Sequence, residues 1–258
     1  MKNMWKNRFL ILLMMLAAGL AGCNDDDDQE MSSFDISLAT DPNLGDILVD
    51  ENGMTLYFFS RDVDGNSACM GGCLDAWPVF HAEDPSLGAG LDDSDFGVID
   101  RGDGTMQTTY QGWPLYYFAQ DTQMGDVNGE AVNNVWWVAK PDYSLMISRQ
   151  AVEEGGSAVN YLVDAEGNTL YIFTPDPPGE SVCIDNCIAN WPAFDPDDTE
   201  LVLPSIFSAA DFAMIDRPDQ GEQLTYKSMP LYYFVNDSGR GDANGEGLNN
   251  VWFVQGIE

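Results

Sequence analysis

Hydrophobic and polar positions alternate along the chain in short runs, and one of these runs recurs four times. It first reads Leu56-Tyr57-Phe58-Phe59-Ser60-Arg61-Asp62, and each copy has the form Leu-Tyr-x-Phe-x-x-Asp. In every copy a tryptophan follows the leucine at a distance of 21 residues. Such recurrence indicates internal repeats, which have to be identified before single secondary-structure elements are assigned. The motif tyrosines and aspartates are Tyr57 and Asp62, Tyr116 and Asp121, Tyr171 and Asp176, and Tyr232 and Asp237.

The four copies group into two pairs. Residues 48–80 align with 162–194 at an offset of 114, and residues 96–136 align with 212–252 at an offset of 116. We therefore interpret the chain as a tandem duplication of one domain that itself consists of two half-repeats. The predicted domains span residues 33–141 and 143–258, and each is large enough to fold around its own core.

The local patterns within each domain predict strands. Residues 47–50 and 54–59 flank an Asn-Gly turn and predict a hairpin. Residues 98–100 and 107–110 predict a second hairpin, and Pro114 is expected to open a strand over 115–119. No segment keeps a 3.6-residue apolar period over ten or more residues, so one helical turn near 73–77 and its twin near 187–191 are the only helices expected. The predicted fold class is all-β, a tandem duplication of an antiparallel β domain.

The start of the chain reads as a secretory signal over residues 1–22. Lys2, Lys6 and Arg8 precede a short apolar run, small residues follow, and the segment ends in Leu20-Ala21-Gly22-Cys23. The run is too short for a transmembrane helix. The last four residues look like a bacterial lipobox, which implies cleavage before Cys23 and its lipidation. More than one acyl chain would then hold the protein to a membrane, in the cell envelope on the extracytoplasmic side, at the outer membrane or cell surface.

The chain is strongly acidic, with 43 acidic against 10 basic residues and a net charge of −33. Three of the basic residues lie in the leader, so the mature chain would keep seven. Four consecutive aspartates within residues 23–32 indicate a solvated acidic tether. The charge argues against nucleic acid as a partner, because binding phosphates requires Lys and Arg. It favours a cation or a basic protein, or serves solubility alone.

These motifs together resemble the bacterial secreted-repeat lipoproteins of unknown function, which carry a repeated Tyr-x-aromatic-x-x-Asp motif. A Cys-x-x-x-Cys…Trp-Pro stretch and a Pro-Leu-Tyr-Tyr-Phe…Gly-Asp stretch add to the likeness, which covers nearly the whole chain after the leader. The resemblance implies a lipidated, extracytoplasmic protein. It implies no activity, because the family has none assigned.

Four cysteines remain after Cys23, one pair in each domain. An exported protein meets an oxidising compartment, so we predict disulfides within the pairs Cys69 and Cys73, and Cys183 and Cys187. The alternatives are a redox-active dithiol or a site for a soft metal ion. Attachment of c-type haem is excluded because no histidine follows the second cysteine of either pair.

The sequence predicts no catalytic residues. His81 is the only histidine, no partner serine is marked for it, and no glycine-rich phosphate loop lies between a strand and a helix. Two Arg-Gly-Asp triplets, at 101–103 and 240–242, read as turns. The motif aromatics are expected to pack inside with the repeated tryptophans.

Two acidic loops are candidate calcium sites, and no other cofactor is expected. Carboxylate and amide oxygens at alternate positions around a glycine suit Ca²⁺, although Asp, Asn and Gly are also the residues of ordinary tight turns. The predicted function is a non-catalytic, lipid-anchored binding or interaction module; the alternative is a redox or metal-handling protein acting through the cysteine pairs. The candidate calcium ligands are Asp126, Asn128 and Glu130, and Asp242, Asn244 and Glu246.

Overall fold

The chain forms short antiparallel strands in two matching sets, seen in a computed structural model that describes residues 34–196, 200–217 and 221–257. The first set is β1 (Ile36–Asp41), β2 (Gly45–Asp50), β3 (Tyr57–Phe59), β4 (Phe96–Asp100), β5 (Met106–Tyr110), β6 (Trp113–Pro114) and β7 (Trp136–Val138). The second set is β8 (Leu145–Gln150), β9 (Val159–Asp164), β10 (Tyr171–Phe173), β11 (Phe212–Arg217), β12 (Gly221–Tyr226), β13 (Met229–Pro230) and β14 (Trp252–Val254).

Each set builds the same three small sheets. In the first half β1 pairs with β2, β3 pairs with β7, and β4, β5 and β6 form a three-stranded sheet. In the second half β8 pairs with β9, β10 with β14, and β11, β12 and β13 form the three-stranded sheet. The prediction of an all-β tandem duplication is confirmed.

Helical structure in the described residues is limited to single 3-10 turns. No helix in this part of the chain is long and apolar enough to cross a membrane. The turns predicted near 73–77 and 187–191 are each a hydrogen-bonded turn and not a helix: Trp77 N donates to Cys73 O and Trp191 N donates to Cys187 O, both at 3.0 Å. The first follows directly on the 3-10 turn Gly71–Cys73. The other 3-10 turns are Ser60–Asp62, Asp93–Asp95, Val132–Asn134, Ala209–Asp211 and Leu248–Asn250.

Two of the predicted strand arrangements are formed only in part. Residues 47–50 and 54–59 close a short hairpin, through one bridge between Val49 and Thr55 and two flanking backbone hydrogen bonds at 2.9 and 3.0 Å. The pairing extends no further, because β2 pairs with β1 and β3 pairs with β7. The turn predicted from Asn52-Gly53 is present, but β3, the strand that follows it, pairs with β7, which is distant in the sequence. Residues 115–119 likewise form no continuous strand, because Tyr116 makes single bridges to Tyr57 and to Val79.

The motif aromatics pack inside, as predicted. In the first half they form one buried cluster together with the repeated tryptophans. A second and larger core runs through both halves. It brings Trp113 and Trp137 of the first half together with Tyr143, Met146 and Val163 of the second.

Polar contacts reinforce the junction between the halves. The Arg240 guanidinium lies 4.9 Å from the ring centroid of Trp113 and donates to the backbone oxygens of Val63 at 3.1 Å and Gln111 at 2.8 Å. The Trp113 indole donates to the backbone oxygen of Ala165 at 2.7 Å. The described residues therefore belong to one compact unit. The predicted signal peptide, the lipidation site Cys23 and the tether over 23–32 lie outside the described residues.

Candidate functional site

The repeat motif forms a crossed pair of hydrogen bonds in the first half. The Tyr57 hydroxyl donates to Asp121 Oδ2 at 2.6 Å, and the Tyr116 hydroxyl donates to Asp62 Oδ2 at 2.6 Å. The backbones of the two tyrosines also exchange hydrogen bonds, at 2.8 and 3.0 Å. Each half-repeat thus supplies the tyrosine for the aspartate of the other. We call this arrangement the crossed Tyr–Asp lock.

The second half contains the same lock. Tyr171 donates to Asp237 Oδ2 at 2.7 Å, and Tyr232 donates to Asp176 Oδ2 at 2.6 Å. The tyrosine backbones are paired at 2.8 and 2.9 Å. Every one of the eight motif residues predicted from the sequence is therefore in a lock.

The spacing of the motif explains how the lock is built. Each motif tyrosine is paired through its backbone with the tyrosine of the other half-repeat. The aspartate follows five residues later, where the chain turns. The second carboxylate oxygen of the aspartate then fixes the following loop: Asp62 Oδ1 accepts from the Ala68 amide at 2.7 Å, and Asp121 Oδ1 accepts from the Asn128 amide at 3.0 Å. Both oxygens of each buried carboxylate are therefore paired, as burial requires.

Stacked tryptophans lie against each lock. The rings of Trp77 and Trp136 are 3.7 Å apart at their centroids and 3° from parallel; Trp191 and Trp252 repeat this at 3.8 Å and 3°. The packing leaves no room beside Tyr57, where a Cβ on Gly129 would come within 2.6 Å of the ring. The Gly129 amide donates to the Tyr57 hydroxyl at 3.2 Å, so this glycine is needed for close approach.

Burial dominates the electrostatics of the locks. Desolvation raises the pKa of Asp62 to about 7, although the hydrogen bond from Tyr116 works against this rise. The pKa values of Asp121, Asp176 and Asp237 are raised for the same first reason. Desolvation raises the pKa of Tyr116 as well, so its phenol stays protonated and remains a donor. A raised carboxyl pKa is a common mark of an active site. Asp62, however, is fully buried, and its raised pKa is explained by its burial within the fold.

The two predicted disulfides are present, Cys69 to Cys73 and Cys183 to Cys187. Cys69 and Cys183 are fully buried.

A buried arginine beside each disulfide was missed by the sequence analysis. Arg101 Nη2 donates to the backbone oxygen of Cys69 at 2.8 Å, and its Nη1 donates to Gln107 Oε1 and to Ser67. Arg217 makes the equivalent contacts with Cys183 at 2.8 Å, Gln223 at 2.8 Å and Ser181. The Arg-Gly-Asp interpretation obscured this pair, because of these two arginines Arg101 is followed by Gly-Asp and Arg217 is not. The repeat offset of 116 residues relates Arg101 to Arg217, and this signal could have found them.

The candidate calcium ligands are engaged in their own loops. Asp126 Oδ2 accepts from the amides of Thr122 and Gln123 at 2.9 and 3.2 Å; Asp242 Oδ2 accepts from Ser238 and Gly239 at 2.9 and 3.0 Å. Asn128 and Asn244 bond to the lock aspartates Asp121 and Asp237. Glu130 and Glu246 accept from the amides of Val138 and Val254, each at 2.7 Å.

The six side chains thus serve three different local purposes, as ordinary turns do. Within the described ranges no group of three or more Asp, Glu, His or Cys residues is arranged to hold a metal ion. Calcium binding stays a prediction that a rise of the melting temperature on adding Ca²⁺ would check. The rise should be smaller in Asp126→Ala and Asp242→Ala.

The comparisons with known proteins agree with this architecture. A family model described as "secreted repeat of unknown function" matches residues 39–81, 97–140, 160–195 and 213–255. These four matches are the four half-repeats, and together they cover more than half of the chain. The chain belongs to this family of secreted repeats, which fits an extracytoplasmic module. Searches among curated proteins and among solved structures each found no match.

Proposed function

We propose that this protein is a lipid-anchored module of the cell envelope that binds another molecule and performs no catalysis. The observation that supports this most is the use of the motif residues. All eight motif tyrosines and aspartates are hydrogen-bonded to each other in the two locks, so the repeated chemistry of the family serves the fold. Binding would then be a property of the exposed surface that the locks hold in place.

The anchor is supported by the sequence of residues 1–23. Mass spectrometry of the protein extracted from membranes should find an acylated N-terminal Cys23. A Cys23→Ala variant should be released or left uncleaved. A native N-terminus at any other residue would contradict the anchor and leave the binding function to be tested by itself.

The proposed partner is a basic protein or another cation, at the outer membrane or cell surface. The support is the charge of the chain, which has 43 acidic and only 10 basic residues. Several carboxylates line a cleft of about 320 Å³ at the junction of the halves, among them Asp142, Asp164, Glu166 and Asp195. Binding that rests on such charges should weaken steeply with ionic strength. Envelope proteins captured on the immobilised full chain should therefore elute with salt, and partners retained at 1 M salt would contradict the electrostatic assignment.

One observation favours a second candidate, a redox role for the cysteine pairs. A buried cation lies beside both disulfides, in Arg101 and Arg217, and a nearby cation favours the thiolate. Titration against redox buffers separates the two functions. Structural disulfides have potentials below about −300 mV, whereas working dithiols lie higher. Potentials near the glutathione range would make the redox role the better proposal.

A further inference from the structure

The second half carries an open groove of about 630 Å³. Its wall includes Ile172, Met229 and the partly exposed Val159, and it holds two basic residues, Arg149 and Lys227. Only seven basic residues remain in the chain once the leader is set aside, so this concentration is unusual for so acidic a protein. None of the described residues that line the groove carries a carboxylate.

The matching face of the first half is already an interface. The repeat offsets relate Ile172 to Phe58, Lys227 to Gln111, and Met229 to Trp113. Phe58 and Trp113 are 2% and 1% exposed. Trp113 is covered because the second half packs on it, through its hydrogen bond to Ala165 and the stacking of Arg240. Phe58 in turn packs against Trp113, with 6.0 Å between the ring centroids. The groove is therefore the position at which a third half would continue the series.

The surface that covers the first half also has an unused counterpart. In the second half this surface is the turn at residues 165–167 together with Arg240. The equivalent positions in the first half are Glu51, Asn52 and Gly53 together with Met124. Glu51 and Asn52 are exposed, and Met124 packs over Gly53. One molecule thus presents both halves of an interface that it uses once internally.

We propose that the groove of one molecule binds the turn at Glu51–Gly53 of a second copy, in the geometry by which the two halves of one molecule bind each other. Charge supports this occupant. Gln111 and Ala165 line one cleft at the internal junction, so their counterparts, Lys227 and Glu51 of the second copy, would meet with opposite charges. The Arg240–Trp113 stack would be replaced by an apolar contact of Met124 with Met229. The inference goes beyond the proposed function, because the occupant is a second copy of this acidic chain and not a basic partner.

Such a contact is heterologous, because a different surface is used on each copy. A rotation that does not close then gives an open row of molecules. The high net charge opposes association in dilute solution. Anchoring many copies to one membrane would offset this, because confinement raises their effective concentration.

A zero-length carbodiimide crosslink tests the contact directly, because it joins an amine only to a carboxylate that touches it. The chain has lysines at 2, 6, 140 and 227 alone, so the products are few. A mixture of ¹⁴N- and ¹⁵N-labelled full chain, reconstituted in phosphatidylcholine vesicles, should give a mixed-isotope crosslink from Lys227 to Glu51. A crosslink from Lys227 only to residues 25–30 of its own chain, or no crosslinked dimer, would overturn the proposal.

Charge reversal supplies the second test. Lys227→Glu and Glu51→Lys should each lower the fraction of dimer seen by sedimentation about tenfold or more, and the double variant should recover it. Arg61→Glu and Glu83→Lys change the net charge equally at exposed positions and should leave the dimer intact; circular dichroism confirms the folding of each. Equal effects of the control and groove variants would overturn the proposal. A monomer that still captures a basic envelope protein would overturn it while leaving the proposed function standing.

Discussion

Replacing Asp62 by asparagine should change how stability depends on pH. The pKa of Asp62 rises from its ordinary 3.8 to about 7 in the folded protein, mainly because burial disfavours the charged carboxylate. The folded state therefore binds the proton more tightly than the unfolded state does. By linkage, the free energy of unfolding falls as pH rises from about 4 to about 7, and the penalty is complete above pH 7. Asparagine cannot ionise, and Asp62→Asn should be free of this penalty.

The size of the effect follows from the pKa interval. One pH unit corresponds to about 1.4 kcal/mol, so an interval from 3.8 to about 7 gives roughly 4 kcal/mol between pH 4 and pH 8. No allowance for solvent screening is needed, because Asp62 is fully buried. The asparagine can keep both contacts: its oxygen accepts from Ala68, and its amide donates to the Tyr116 oxygen.

The assay is urea unfolding of the wild type and of Asp62→Asn at half-unit steps from pH 4 to 8.5. The difference between the two proteins should move in favour of the variant as pH rises. Taking the difference cancels the exposed carboxylates with lowered pKa values, such as Asp35 and Asp92, which act in the opposite direction at lower pH. Asp176→Asn in the second half should give the same sign. A difference that is constant over this range would refute the reasoning.

Three further outcomes follow from the structure. Arg101→Met should lower the free energy of unfolding by about 2–4 kcal/mol, because it leaves buried acceptors unpaired, whereas the exposed control Arg61→Met should stay within about 0.5 kcal/mol. Arg240→Met, which gives the second half the residue found at Met124 in the first, should cost roughly 2–3 kcal/mol at the junction; an unchanged urea midpoint would contradict this. A fragment of residues 143–258 should fold alone with a β-type circular dichroism spectrum, but with a lower urea midpoint than the full chain, because its junction face is exposed.

Much of the fold could be predicted because repetition amplifies weak local signals. The strands, the duplication and the burial of the motif rings all follow from patterns that the chain states more than once. The partner of β3 could not be predicted in this way. A turn signal at Asn52-Gly53 reports only on its neighbours, while the choice of β7 over β2 is made by long-range packing.

The lock itself was beyond the sequence analysis for a related reason. The motif places Tyr57 and Asp62 five residues apart, which suggests that they act together. In the structure each is instead bonded to the other half-repeat, and only the three-dimensional pairing of Tyr57 with Tyr116 makes this visible. Arg101 was missed although its repeat partner was present in the sequence, because a familiar triplet drew the interpretation toward a turn.

The central claim is that the motif works across half-repeats as a structural lock. A double-mutant cycle on Tyr116→Phe and Asp62→Ala, measured by urea unfolding at pH 8, tests it most directly. We predict a coupling energy of about 1–3 kcal/mol for this crossed pair. The pair Tyr57→Phe and Asp62→Ala, which belong to one motif but share no hydrogen bond, should be additive within about 0.5 kcal/mol. Coupling within the motif and none across it would contradict the account.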